Sequence, residues 1–209
     1  MRILAIGAHP DDIEFGCGGA LLTYAALGHE VSLLVMTDGS AGGDGACRRQ
    51  EQEMAKRLLG ARRVLWGEYP DTAIETDRTI IRRIEHVLQE LRPALLFVHH
   101  AEDTHQDHRN LATATITATR YTPNVLFYEG PTTQNFTPSV FVNIGPVFTQ
   151  KIAALEAHAS QLTKTHVEGL NIVDFTKATA HYRGIQGRVG TAEAFMPLRL
   201  LLPGQNGSH

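Results

Sequence analysis

Two clusters hold the residues most capable of chemistry. Ala8-His9-Pro10-Asp11-Asp12 follows the apolar run Ile3-Leu4-Ala5-Ile6, placing one imidazole and two adjacent carboxylates where a buried strand gives way to a loop. His plus carboxylate is a donor set suited to Zn²⁺ or a similar divalent ion, and ligands bind at the C-terminal ends of strands in open α/β sheets. Pro10 stiffens the turn at fixed φ, which lets His9 and Asp12 converge while Asp11 points elsewhere. Alone, the stretch reads equally well as a solvated turn, because His, Pro and Asp are ordinary loop residues. The second cluster breaks the tie. His99-His100-Ala101-Glu102-Asp103-Thr104-His105-Gln106-Asp107-His108 follows another apolar run, Ala94-Leu95-Leu96-Phe97-Val98. If Asp107 and His108 open a helix through Leu111, Ala112, Thr115 and Ile116, then His105 and His108 can both face one site.

For both clusters to share a site, their strands must end on the same edge of one sheet. Residues 3–6, 30–37, 63–66 and 94–98 read as strands, alternating with helical stretches. The last is continuously apolar, as a central parallel strand covered on both faces should be. The alternation predicts a doubly wound, Rossmann-like α/β fold: a mostly parallel sheet with helices on both faces and the metal site at the C-terminal ends of its strands. Residues 20–27 read as a short helix closed by Gly28. Gly16, Gly18 and Gly19 before it would let the backbone approach the metal loop. They do not form a dinucleotide fingerprint, because Leu21 stands where the third glycine is needed.

Residues 38–45 read as a mobile glycine loop in a place where α/β enzymes keep substrate-binding segments. Arg48 then opens a helix over 48–60 against the favoured sign of the helix dipole, which makes it a candidate substrate contact. A clear amphipathic stripe predicts a helix over 74–91. Beyond residue 125 the pattern gives strands at 126–128 and 140–144, helices at 151–158 and 178–187, and an extended stretch at 195–202. Gln134 and Asn135 are candidate contacts for a sugar hydroxyl. His29, His86, His166 and His181 lack clustered partners and are assigned to solvent or packing, whereas His99 and His100 flank the site.

The whole chain narrows the function classes. It has 209 residues, 43% hydrophobic and 20% charged, with a formal net charge of −3. No basic stripe supports nucleic-acid or anionic-membrane binding, and a small neutral or weakly charged substrate fits better. No run reaches the ~18 apolar residues of a membrane span, and the N-terminal apolar run is too short for a signal peptide, so a cytoplasmic location is expected. Cys17 and Cys47 form no Cys-x-x-Cys pair, so any metal must be held by His and carboxylate. One domain over residues 1–203 with a short disordered tail over 204–209 is the simplest organisation, and homo-oligomerisation is left open.

Ala8-His9-Pro10-Asp11-Asp12 with a distal His105-x-Asp107-His108 resembles the PIG-L / LmbE-like family of zinc-dependent deacetylases, which act on N-acetylglucosamine-type substrates. The likeness continues through Arg48-x-x-Glu51 with Ala55-x-x-x-Leu59-Gly60, Ala157-His158-Ala159-Ser160-Gln161 and Ala192-Glu193-Ala194-Phe195. The resemblance implies His9, Asp12 and His108 as ligands of Zn²⁺, with Fe²⁺ or another divalent ion as the alternative. It makes Asp11 the general base and a protonated His105 the group that stabilises the oxyanion or donates a proton, with Asp107 orienting His105. Three protein ligands leave a position for water, whose pKa the metal lowers towards ~7. That division of labour explains adjacent carboxylates, one binding metal and the other taking a proton. His158, Ser160 and Gln161 are assigned to packing or capping. Gln106 stands where many members have Pro, and Asn143 where the family's strand usually carries Asp.

The implied substrate is a small N-acetylated amino sugar or its conjugate. Alternatives are a zinc amidase acting on a non-sugar or thiol-conjugate amide, a non-catalytic sugar-binding module, and a nucleotide-sugar transferase. A binding module needs no spare Asp beside the ligand Asp, and a transferase should carry a phosphate-cradling motif, which the sequence lacks.

Overall fold

Apolar residues occupy both faces of β1 (Arg2–Gly7), β2 (Glu30–Thr37), β4 (Leu95–His99) and β5 (Val125–Tyr128), and each strand is buried along nearly its whole length. Parallel strands must be so when helices cover both sides. The computed structural model, which describes residues 1–201, assembles them with β3 (Arg63–Tyr69), β6 (Val140–Asn143) and β7 (Ala192–Arg199) into one seven-stranded sheet of order β3-β2-β1-β4-β5-β7-β6. The first five strands are parallel. β7 then runs antiparallel to both β5 and β6, so the sheet is the mostly parallel, Rossmann-like one that the sequence predicts, with an antiparallel edge. The proposed domain end at residue 203 and the tail over 204–209 lie outside the described residues.

Alternation along the strands builds two apolar layers. Ile3 and Ala5 pack with Ile13, Cys17 and Leu21 of α1 (Asp12–Ala26). Leu4 and Ile6 face the other way, towards Ile80, Ile84 and Val87 of α3 (Arg78–Leu91) and Leu111 and Ala114 of α4 (Gln106–Ala118). α2 (Gly45–Leu58) and α5 (Phe148–Glu156) join the α1 side, and α6 (Ile172–Gly187) packs against β7. The chain order reverses between β1 and β4, which pair directly with Ile3 opposite Leu95 and Ala5 opposite Phe97. Their carboxyl ends therefore open a single crevice. No helix among the described residues is long and apolar enough to cross a membrane.

Three local expectations are corrected. α1 starts at Asp12, well before residue 20, and runs through the glycines. Their purpose is close packing against neighbours other than the metal loop: a Cβ on Gly16 would lie 2.1 Å from the Tyr128 ring, and one on Gly19 would lie 2.7 Å from Ile144. The glycine-weakened stretch is supported instead by the buried ion pair of Lys151 and Glu193. Lys151 donates to Phe15 O at 2.6 Å, and Glu193 accepts from the Gly19 and Ala20 amides, both at 2.7 Å. Residues 38–45 are a pinned loop rather than a mobile one. Arg48 donates to Gly39 O at 2.7 Å, the Ala41 amide donates to Asp71 at 2.8 Å, and Lys164 donates to Gly42 O. α6 opens at Ile172, six residues before the expected start at residue 178, because Asn171 and Asp174 form a reciprocal capping box.

Candidate active site

The loop after β1 and the start of α1 carry His9, Asp11 and Asp12, while the loop after β4 and the start of α4 carry Asp103, His105, Asp107 and His108. Adjacency of β1 and β4 brings the two clusters together. His9, Asp12 and His108 each offer a ligand atom, and these atoms lie within 4.8 Å of one another. His108 Nε2 is 3.3 Å from Asp12 Oδ1, and His9 Nδ1 is 3.3 Å from Asp12 Oδ2. The Asp12 carboxylate is fixed by the His9 amide, which donates to it at 2.7 Å. All three side chains are about nine-tenths buried. Two imidazoles and a carboxylate converging on one point are a donor set of the kind that tetrahedral divalent sites use.

Each imidazole is backed by a carboxylate, the arrangement that fixes ring orientation in metal sites. His108 Nδ1 faces Asp103 Oδ2 at 3.4 Å, leaving Nε2 for the centre. Asp103 is itself held by the hydroxyls of Thr132 and Thr133, at 2.6 and 2.8 Å, and by the His105 amide at 2.8 Å. His9 Nε2 lies 3.1 Å from Asp107 Oδ2 and 3.0 Å from Asp71 Oδ1, leaving Nδ1 for the centre. Burial alone would push both histidines down, yet Asp12 and Asp103 raise the pKa of His108 to about 9, and Asp107, Asp12 and Asp71 raise that of His9. The carboxylates therefore demand positive charge at this point, a demand that a divalent cation meets. Asp12 stays ionised despite its burial, because His108 and His99 hold its pKa well below the usual carboxylate range.

Asp11 has a different environment. It is the N-cap of α1 at φ 98°, a strained conformation for a non-glycine residue, and its side chain makes no capping hydrogen bond. The carboxylate lines the cleft, and its ion-pair partner is the Arg48 guanidinium. Burial and the adjacent charge of Asp12 raise its pKa to about 6, against the pull of His158, Arg48 and His9. Arg48, the candidate substrate contact, lines the cleft but is only 5% exposed, and its two terminal nitrogens bond the fold. It bridges Pro10 O and Gly39 O, both at 2.7 Å, and lies 3.5 Å from Asp11 Oδ2. The guanidinium clamps the strained loop to the glycine loop.

His105 and Asp107 also differ in detail from what the resemblance implies. Asp107 is fully buried and turns towards His9, accepting further from the Thr72 and Ile74 amides at 2.9 and 3.2 Å. Its backbone amide, not its carboxylate, orients His105 by donating to Nδ1 at 3.2 Å. The His105 proton is thereby placed on Nε2. Burial and the charges of His108 and His9 push the His105 pKa down. Gln106 occupies the first position of α4, where a backbone N–H has no helical partner in any case, and His105 still caps the helix. Asn143 accepts from the Gly145 amide at 3.0 Å, a bond for which one carboxylate oxygen would serve equally.

His99, which flanks the site in the sequence, lines the cleft: it is 1% exposed, stacks on His108 at 4.0 Å and 13°, and lies 3.1 Å from Asp12 Oδ2. Asp71 and Asp103 were unassigned. The positions of Asp71 at the end of β3 and of Asp103 within the histidine cluster were the available signals. His166, assigned to solvent or packing, lines the cleft. Gln134 and Asn135 do not line it, and Asn135 donates to Glu102 at 2.8 Å. His158 is buried 3.4 Å from Glu14, while Ser160 bonds Glu51 through its amide and hydroxyl, both at 2.7 Å. His9, Asp12 and His108 all line a cleft of about 660 Å³.

Comparison with known proteins places this geometry. The profile of the family described as PIG-L, GlcNAc-PI de-N-acetylase, matches residues 4–119. The chain is 37% identical over 167 residues to the uncharacterized deacetylase YaiS of Escherichia coli, covering 76% of this chain and 90% of that protein. It is 28% identical over 191 residues to the diacetylchitobiose deacetylase of Thermococcus kodakarensis, covering 77% and 70% of the two chains. Among solved structures, the conserved protein TT1542 of Thermus thermophilus superposes with a TM-score of 0.84 at 30% identity, covering 99% of each chain.

Proposed function

The chain belongs to the PIG-L family of deacetylases, and we propose that it is a metal-dependent hydrolase that removes the acetyl group from an N-acetylated amino sugar or its conjugate. The observation that carries this reading is a second carboxylate, Asp11, that lines the cleft outside the potential metal-ligating set of His9, Asp12 and His108. A site built only to bind would have no use for a strained second Asp next to a ligand Asp. Relatives named for deacetylation of diacetylchitobiose and of N-acetyl-alpha-D-glucosaminyl L-malate point to the same substrate class.

His9, Asp12 and His108 would hold one divalent ion, Zn²⁺ or alternatively Fe²⁺, while Asp71, Asp107 and Asp103 fix the two imidazoles. Such an ion supplies Lewis-acid polarisation of the amide carbonyl and acidifies a water towards neutral pH. Asp11 takes the proton from the attacking water. A base poised near pH 6 is matched to this task. As the carbonyl oxygen gains charge, His105 donates a hydrogen bond from Nε2, the nitrogen left free by the Asp107 amide. Protonated Asp11 then returns its proton to the leaving nitrogen, releasing acetate and a free amine. Arg48 keeps Asp11 in place through Pro10 O. The test is acetate release from N-acetylglucosamine and its conjugates by purified protein, before chelation, after it, and after Zn²⁺ or Fe²⁺ is restored. Loss and recovery of acetate release would support the reading, and no release after metal addition would overturn it.

A further inference from the structure

Helix α6 is apolar on two opposite faces, and the fold uses one of them. Val173, Thr176, Ala180, Arg183 and Gly184 form the buried face, and the helix packs on β7 and β6. At about 100° per residue, Phe175, Ala178, Tyr182 and Ile185 fall together on the far side. All four are exposed, Tyr182 at 56% and Ile185 at 69%. Their spacing alternates three and four residues, the pattern of a seam that meets another helix, whereas a face turned to water carries charged and polar groups. The concentration is local. Of the twelve large apolar side chains exposed among the described residues, five (Val167, Leu170, Phe175, Tyr182 and Ile185) come from the segment 167–185, which is more than the ordinary scatter of single exposed residues.

The seam is complementary to itself. In an antiparallel pair of α6 helices whose two-fold axis is level with Ala180, Phe175 stands opposite the partner's Ile185 and Ala178 opposite the partner's Tyr182, so the small side chain leaves room for the ring. The same register brings Asp174, in the first turn, beside the partner's Arg188, exposed just past the last turn, and symmetry makes the contact twice. Asp174 has an oxygen to spare, because Oδ2 alone meets the Asn171 amide of the capping box, at 3.4 Å. A parallel pair would instead set Asp174 near the partner's Asp174 and leave a gap at Ala178. We infer that this face is covered by a second copy of the chain, paired through α6 in the antiparallel register. Four seam residues a side are few beside the about 20–30 of a standard interface, so the dimer dissociates on dilution. Phe175 also lines the cleft, and the pairing seats the partner's Ile185 against it.

Sedimentation velocity of the full chain, at loadings from about 1 to 300 µM, should show a dimer fraction that grows with concentration. Ile185→Glu and Tyr182→Glu change solvent-facing side chains of the monomer, and a thermal melt checks that each stays folded. In the paired state each buries a charge with no partner, so the dissociation constant should rise about tenfold or more. Arg188→Glu sets a carboxylate beside the partner's Asp174 and should raise it several-fold. Tyr121→Glu, at a side chain 89% exposed just beyond α4, should leave it unchanged. A protein that is monomeric at every loading would overturn the inference and leave the seam to a different occupant. An assembly that Ile185→Glu and Tyr182→Glu both leave intact would overturn it as well, and tighter association of Arg188→Glu would overturn the antiparallel register.

Discussion

Replacing Asp103 by Asn tests whether His108, in its proposed role as a metal ligand, depends on the carboxylate behind it. Asp103 Oδ1 accepts from the Thr132 hydroxyl and the His105 amide, while Oδ2 accepts from the Thr133 hydroxyl and faces His108 Nδ1 at 3.4 Å. In Asp103→Asn, an amide nitrogen at the Oδ2 position confronts the His108 N–H donor to donor, although the Thr133 hydroxyl can rotate to accept. With the amide flipped, the same conflict falls on the His105 backbone N–H. Either orientation costs a buried polar contact, and the one that spares the backbone releases His108. Loss of such a supporting group typically weakens metal binding by about 10–100-fold, or roughly 1.4–2.7 kcal/mol. Competition against a chromophoric chelator at fixed pH measures the affinity, and circular dichroism checks that the variant is folded. Wild-type affinity in a folded Asp103→Asn protein would refute the role given to this carboxylate.

Three further outcomes follow from the packing. In Gly16→Ala the added methyl meets the fully buried Tyr128 ring at 2.1 Å, and overpacking of about 1–3 kcal/mol outweighs the ~1 kcal/mol gained in helix propensity; an unchanged melting temperature would contradict this. Arg48→Met leaves the Pro10 and Gly39 carbonyls without their donor, a cost of about 1–3 kcal/mol each, which a denaturant titration would read as a lower midpoint at unchanged slope. An unmoved midpoint would show that the clamp holds nothing. The third concerns pH. Burial opposes the charge on His158, but Glu14 and Asp11 raise its pKa above the ordinary value. Its charge therefore stabilises the fold fully below the unfolded pKa of about 6.5, and that contribution is lost as pH rises through the folded value. The stability gap between the wild type and His158→Gln should narrow with rising pH, and a gap that widens would reverse the assignment.

The parts of the fold set by periodicity and by uninterrupted apolar runs were readable in advance: the parallel strands, the stripe of α3, and the opening of α4 at the second cluster. The start of α1 was not, because Gly16, Gly18 and Gly19 carry low helix propensity. What makes them helical is the Tyr128 ring, Ile144 and the Lys151–Glu193 pair, all remote in sequence. The same limit governs the site. Residue types and strand ends marked His9, Asp12, His105 and His108, but which carboxylate backs which imidazole depends on side-chain direction across the crevice. Hence Asp107 turned out to serve His9 rather than His105, and Arg48 turned inward to Pro10 and Gly39.

The division of labour between the adjacent carboxylates is the centre of the account, and Asp11→Asn compared with His108→Ala tests it most directly. Metal content and acetate release are measured on the same preparations. Asp11→Asn should retain the wild-type metal content and lose about 10²–10⁴-fold in turnover, the usual contribution of a general base, while His108→Ala should lose the metal itself. Wild-type turnover in a metal-replete Asp11→Asn protein would contradict the account.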